Sequence, residues 1–308
     1  MSFGDLAFRA PTAADLQRTH ELIVRCDVAE YGEPDTDLDD LAFDWDRIDL
    51  ARDAWLVATP TGDLVGYGAV IRWRTELEYA IYVDPTWAGR GLDRAILARC
   101  EARGQAVAGA CSEGMVAKCY LPHASRRRHE TVQAAGFRLV RYHFQMGIRL
   151  DGSPPSPVWP VGVSVRTAAP EQEGRAIHRL IEAAFARPGR TATTYDEWTG
   201  LMMRADILDP DLWFLAVAGE AIVGACLCFA YPEQGWVRQL AVAERWRRKG
   251  IGTALLYHAF GVFHERGYDR AGLATESDNP DAIAFYEQLG MQRVRQHDEY
   301  ERALGCCQ

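Results

Sequence analysis

The chain repeats itself. Phe8-Arg9 is matched by Val165-Arg166 at an offset of 157 residues, Trp55–Ala58 by Trp213–Ala216 at 158, and Leu64–Val70 by Ile222–Cys228 at 158. Tyr82–Trp87 matches Ala241–Trp246 at 159, and Ala135–Phe137 matches Leu289–Met291 at 154. Anchors in one order at nearly constant spacing identify an internal duplication of about 150 residues per copy. Residues 151–160 carry four prolines without periodicity and read as a linker. The expected division is therefore 1–150, a linker at 151–160, and 161–308.

Each copy reads as strand, helix, helix, hairpin, strand, helix, strand, helix, strand. In the second copy, Ile177, Leu180, Ile181 and Ala184 recur at helical spacing and predict a helix over 171–186. Trp198, Leu201 and Met202 predict another over 196–208. Residues 212–218 and 222–231 flank a Gly219-Glu220 turn and predict a hairpin. Strands over 236–242 and 270–275, helices over 252–266 and 280–289, and a closing strand over 292–301 complete the pattern. The fold class is α/β in the broad sense: a mixed, largely antiparallel sheet flanked by helices, built twice in tandem.

Composition narrows the partners. Lys and Arg number 34 against 43 Asp and Glu, a formal charge of −9, so a nucleic-acid footprint is not expected. No apolar run approaches 18 residues, and Asp5, Arg9, Asp15 and Arg18 interrupt the start, so a membrane span and a leader are not expected and the cytoplasm is the default. The eight cysteines form no C-x-x-C and pair with no histidine at zinc spacing, so no metal is expected. Cys226 and Cys228 are expected to be buried thiols, and Cys306-Cys307 a frayed tail. His258 and His264 are expected on a helix surface. Glu33–Asp49 holds eight acids, read as a solvated face or as a wall that steers a cation.

The most informative stretch runs from Trp236 to Gly252. A strand feeds a loop with three cations (Arg247, Arg248, Lys249) and two glycines (Gly250, Gly252), and that loop opens a helix. Uncapped N–H groups at a helix N-terminus attract anions, and the glycines permit close approach of a phosphate. A dinucleotide loop fits less well, because Leu255 stands where the third glycine would be. Arg247-Arg-Lys-Gly-Ile-Gly252 fits the [Q/R]-x-x-G-x-[G/A] signature of the GCN5-related N-acetyltransferase superfamily, and 275–290 is similar to its asparagine turn and tyrosine helix. The tandem layout is similar to that of the mycothiol synthases.

This resemblance implies acetyl-CoA as co-substrate. Backbone of Leu240, Ala241 and Val242 would pair with the pantetheine arm, and the loop Arg247, Arg248, Lys249, Gly250, Ile251, Gly252 and Thr253 would hold the pyrophosphate. Asn279 would fix the pantetheine and the start of its helix. Tyr286 would be the general acid, since a phenol can protonate a departing thiolate. The base stays open: Trp236, Arg238 and Leu240 alternate where many relatives carry a glutamate, which leaves Glu276 or Glu233. Tyr195, Trp198 and Met202 are the candidate walls of the acceptor pocket. The acceptor implied is a small-molecule primary amine, with a peptide or protein amine, or acyl-CoA binding without turnover, as alternatives. A monomer or a homodimer is expected.

The first copy departs from the signature. Ala88, Gly89 and Arg90 stand at the cation positions, Asp93 at Gly252, and Val132 at Tyr286. Ser125-Arg-Arg-Arg128 offers no match to Asn279. A carboxylate near a pyrophosphate is repulsive. That copy is expected to bind no acyl-CoA productively and to brace the other or shape the acceptor cleft.

Overall fold

The computed structural model describes residues 3–111, 114–187, 190–204 and 207–305; the Cys306-Cys307 pair lies outside them. Two compact units emerge, one formed by 1–143 with 295–308 and the other by 144–294.

The first unit contains β1 (Ala7–Arg9), α1 (Leu16–Tyr31), α2 (Leu38–Asp46), α3 (Leu50–Asp53), β2 (Ala54–Ala58), β3 (Leu64–Trp73) and β4 (Glu76–Val83). It continues with α4 (Leu92–Gly109), β5 (Met115–Pro122), α5 (Arg126–Ala134) and the start of β6 (Arg138–Arg149). Strands β1 to β5 lie side by side in chain order. Pairing is antiparallel from β1 to β4 and parallel between β4 and β5, because α4 carries the chain back across the sheet. Leu92, Ile96 and Cys100 of α4 close one face, while Leu22, Ile23, Trp45 and Tyr67 fill the other.

The second unit contains the end of β6, β7 (Val163–Thr167), α6 (Pro170–Phe185), α7 (Tyr195–Met202), β8 (Trp213–Ala218), β9 (Ala221–Tyr231), β10 (Gln234–Val242), α8 (Ile251–Glu265), β11 (Arg270–Glu276) and α9 (Pro280–Gln288). Its strand order is β6-β11-β10-β9-β8-β7. Ile177 and Ile181 of α6 bury fully, as the helical spacing requires. α7 starts on a capping box between Thr194 and Glu197 and stops at Met202, shorter than its apolar pattern suggests. Beyond it the Arg204 carbonyl accepts hydrogen bonds from the N–H groups of Ile207 and Leu208.

The repeats and the compact units differ in one respect. The last strand, β12 (Gln292–Leu304), runs antiparallel to β5 from His297 to Leu304, so the end of the second repeat completes the first unit. Residues 144–149 of β6 likewise belong to the second unit, where Leu150 N–H donates to the Asp269 carbonyl at 2.7 Å. Strand pairing depends on edge and register and not on repeat membership, so the repeat pattern alone does not define this exchange.

The charged segments of the first unit are used locally. Asp37 and Asp49 cap α2 and α3 through the N–H groups of Asp39 and Ala51, and Glu33 and Asp35 pair with Arg295. Arg126, Arg127 and Arg128 face Glu130, Asp93 and Glu30. Cys226 and Cys228 are fully buried free thiols 3.6 Å apart. His258 is half-buried rather than a surface residue, its ring edge-on to Phe214 at 4.7 Å, and burial lowers its pKa. His264 Nδ1 lies 3.1 Å from the Leu150 carbonyl.

Candidate active site

Strand β10 is the axis of the site. On one side it pairs with β9 along its whole length; on the other it pairs with β11 only from Gly235 to Val237. Past that point β10 and β11 diverge. The backbone edge of Leu240, Ala241 and Val242 on the β11 side therefore has no strand partner among the described residues, the arrangement to which an extended ligand can add.

A bulge between Val237 and Gln239 sits where the strands part. It breaks the alternation of Trp236, Arg238 and Leu240 that the sequence suggests, and brings Gln239 and Ala241 to the α6–α7 face. Gln239 Oε1 accepts a hydrogen bond from Trp198 Nε1 at 2.9 Å. No spacing rule reveals Gln239, because a bulge has no fixed period.

The split leads into the loop. Gly250 adopts φ +85°, a left-handed turn that glycine adopts without strain, and α8 starts at Ile251 with no side-chain cap. The N–H groups of Ile251, Gly252 and Thr253 thus open the helix without side-chain partners among the described residues. Gly252 has a second requirement: a Cβ there would meet Phe285 Cζ at 3.3 Å.

The three cations differ. Arg247 Nε donates to the Val242 carbonyl at 3.2 Å and its Nη2 to the Ala184 carbonyl at 3.1 Å, tying the strand end to α6. Arg248 holds φ +60° with its side chain 89% exposed, 3.5 Å from Asp281, so it can swing to an anion. Lys249 lies over the Trp246 ring at 4.9 Å. A groove of about 530 Å³ opens between α6 and Ala243–Trp246.

Tyr286 on α9 has a hydroxyl with no hydrogen-bond partner among the described residues. Burial pushes its pKa up to about 12, with the neighbouring Cys226 adding to the shift. Cys226 pairs across the sheet with Leu240, which sets the phenol beside the divergent part of β10. Asn279 Oδ1 accepts the Ala282 N–H at 3.3 Å and so caps α9.

The two candidate bases separate. Glu233 lies in the β9–β10 turn, 77% exposed and 2.7 Å from Arg270, at the end of β10 remote from the loop. About 20 Å of strand lies between it and Leu240, so Glu233 leaves the set. Glu276 ends β11 on the far wall of the split, but Arg187 holds its carboxylate and also lies 3.3 Å from Asp278.

The acceptor-pocket candidates are mostly core. Trp198 and Met202 are each 2% exposed and belong to the cluster beneath α6 and α7, and the Trp198 indole reaches the face of β10 through its hydrogen bond to Gln239. Tyr195 is half-buried and stacks on Trp198 at 5.9 Å, with the Arg175 guanidinium over its outer face. Among the described residues no cluster of metal-ligating side chains occurs, and no helix is long and apolar enough to cross a membrane.

The first unit repeats this framework with other side chains. Gly91 takes φ +84° where Gly250 takes +85°, and Gly89 takes +77° where Arg248 takes +60°. Asp93, however, is turned toward α5. It is 9% exposed and accepts from Thr131 Oγ1 at 2.9 Å, locking α4 to α5 where the second unit has Gly252 against Phe285. Arg128 Nη2 donates at 3.0 Å to the Ile81 carbonyl, the group equivalent to that of Leu240.

Comparison with known proteins agrees with this geometry. The model of the acetyltransferase (GNAT) family matches residues 16–130 and again 175–291. The chain is 38% identical to N-alpha-acetyltransferase 30 of Xenopus laevis over 96 residues, 30% of this chain and 35% of that protein. It is 28% identical to mycothiol acetyltransferase of Streptomyces coelicolor over 241 residues, 76% of this chain and 75% of that one. The crystal structure of a GCN5-related N-acetyltransferase from Sphaerobacter thermophilus superposes with a TM-score of 0.86 at 30% identity, covering 99% of this chain and 97% of that one. With two family matches on two like units, the chain belongs to the GCN5-related acetyltransferase family as a tandem member.

Proposed function

We propose that the second unit transfers acetyl from acetyl-CoA to a primary amine of a small molecule, by direct attack without a covalent enzyme intermediate. The observation that carries this reading is the divergence of β10 from β11 beside a protonated phenol that has no hydrogen-bond partner among the described residues. The pantetheine arm takes the place of a strand along Leu240–Val242. The amides at the start of α8, with Arg248 and Lys249 beside them, receive the pyrophosphate.

The amine nitrogen attacks the thioester carbonyl, the C–N bond forms and the C–S bond breaks. The Tyr286 hydroxyl gives its proton to the departing sulfur and regains one from solvent. The proton lost by the amine leaves through water, since Glu276 is engaged by Arg187. A pKa near 12 keeps Tyr286 protonated at neutral pH, as a general acid requires.

A small-molecule acceptor is supported by the relative matched over most of the chain, the mycothiol acetyltransferase. N-alpha-acetyltransferase 30 supports a peptide amine, over 30% of the chain. The first unit is read as inactive toward acetyl-CoA, on the strength of Arg128 at the Ile81 carbonyl and of Val132 in place of the tyrosine.

Calorimetric titration with acetyl-CoA tests the assignment. One site per chain, abolished by Gly252→Asp, is expected, followed by CoA release with small amines in preference to peptides. Two sites would overturn the reading of the first unit, and no binding would overturn the function.

A further inference from the structure

The first unit retains a cavity that the proposed acetyl transfer leaves unassigned. β4 pairs with β5 only from Glu76 to Glu78, and where they part a cavity of about 130 Å³ opens. A second chamber of about 240 Å³ adjoins it, and Glu78 and Tyr120 line both.

The charges around this space do not balance. Asp27, 5% exposed on α1, accepts N–H groups from Asp35 at 3.1 Å and Thr36 at 3.0 Å and has no cationic partner among the described residues. Glu78 Oε2 accepts only the Trp73 indole N–H at 3.2 Å, and its Oε1 accepts nothing from those residues. The cations nearby are engaged elsewhere: Arg128 by Glu30 and the Ile81 carbonyl, Lys118 by Glu76, Glu299 and Glu301. His297 is held by Tyr31 at 2.6 Å and Asp35 at 3.3 Å.

A carboxyl away from bulk water is costly unless paired. Burial pushes the pKa of Glu78 up to about 7 and raises that of Asp27. Desolvation is the largest cause of both shifts, and at Glu78 it outweighs the opposing field of Lys118, which also lines the second chamber. Aromatic walls complete the space: Tyr31, Tyr82 and Tyr120, the last with a hydroxyl that has no hydrogen-bond partner among the described residues. Carboxylate with aromatic faces is the chemistry that recognises an ammonium group.

We propose that the cavity between β4 and β5 binds a small primary ammonium ion, with Glu78 as its counter-ion and Tyr120 as a hydrogen-bond acceptor. Asp27 adds a weaker field, because two backbone donors already solvate it. The site lies in the first unit, at the parting of strands equivalent to that of β10 and β11, and so rests on the reading that acetyl transfer belongs to the second.

The test uses the full chain at pH 8, where Glu78 is ionised, titrated calorimetrically with propylammonium chloride and, separately, with uncharged 1-propanol. One propylammonium per chain is expected, bound at least tenfold more tightly than the alcohol. Glu78→Gln keeps the shape and the indole hydrogen bond and should weaken propylammonium at least tenfold without changing the alcohol. Tyr120→Phe should weaken it severalfold, and it carries the test if Glu78→Gln fails to fold. Gly252→Asp should leave propylammonium affinity within twofold. Absence of binding up to about 20 mM, equal affinity for the alcohol, or full affinity in Glu78→Gln would each overturn the proposal. Loss in Gly252→Asp with full affinity in Glu78→Gln would move the amine to the second unit. Acetyl-CoA titrated into Glu78→Gln reports on the other site independently.

Discussion

Tyr286→Phe removes one hydroxyl and nothing else, and the structure sets what that should do. The hydroxyl has no hydrogen-bond partner among the described residues, so its loss leaves no protein group unsatisfied. Folding stability should stay within about 0.5 kcal/mol of the parent. Nor does the hydroxyl belong to the strand edge or the helix start, so acetyl-CoA affinity should hold within about twofold. The whole effect should fall on the chemical step. A general acid contributes about 10²–10⁴ in rate, or about 2.7–5.5 kcal/mol of barrier. Single-turnover measurement of CoA release, with an acceptor found by screening, isolates that step from product release. The pH dependence adds a second check. With a pKa near 12 the phenol is protonated across the accessible range, so the parent rate should show no alkaline fall assignable to Tyr286 below about pH 10. A parallel loss of rate and acetyl-CoA affinity would refute the reasoning, as would an unchanged single-turnover rate or an alkaline limb near pH 9 that vanishes in the variant.

Other perturbations test the framework. Glu299 is 1% exposed and held by His143 at 2.6 Å and Lys118 at 2.9 Å; despite burial, these partners push its pKa down to about 2. The stability it confers is complete above the ordinary carboxylate pKa near 4.5 and lost as pH falls toward about 2, and Glu299→Gln should cost about 3–5 kcal/mol at pH 7 in urea unfolding and flatten the acid limb. Trp198→Phe strips the donor from Gln239 and should cost about 1–3 kcal/mol and raise acceptor KM, with acetyl-CoA affinity unchanged; combining it with Gln239→Leu should recover part of the stability in a double-mutant cycle. Tyr79 buries a hydroxyl that lacks a partner among the described residues, so Tyr79→Phe should leave the melting temperature unchanged or raise it by a few degrees; a fall would reveal a partner for that oxygen.

The duplication made most of the fold readable, because each weak local signal occurs twice at a fixed offset and the copies check one another. The turn into α8 was readable for a different reason: Gly250 takes the left-handed conformation that a tight entry into the helix requires and glycine adopts without strain. What stayed hidden is long-range. Arg187 closes on Glu276 across 89 residues, and only the folded chain reveals that this carboxylate is already paired. Arg247 carries the charge the signature asks for, yet two backbone carbonyls take its guanidinium. The bulge before Gln239 reverses which side chains face α7, and strict alternation cannot anticipate that. Met202 has the helical spacing of a pocket wall and of a core residue alike, and burial decides for the core.

The two units separate what the fold requires from what the proposed acetyl transfer requires. Both keep a left-handed glycine ahead of the long helix, both keep the residue two places earlier at positive φ, and both let two parallel strands part after three residue pairs. Those features are backbone properties and survive wherever the sheet survives. The difference lies in what occupies the parted strands. In the first unit a guanidinium already satisfies the Ile81 carbonyl, and the Asp93–Thr131 hydrogen bond fastens the helices. In the second unit the equivalent edge of β10 has no strand partner, and Gly252 lies against Phe285 without a polar clasp. A strand edge in need of partners is a liability for folding and an asset for binding. The first copy removes the liability with its own side chains, whereas the second leaves it for an extended ligand to satisfy. Arg128→Ala therefore tests the first copy more directly than any change in its loop: it should expose the Ile81 carbonyl and cost stability, while Val132 still leaves that unit without a proton to donate.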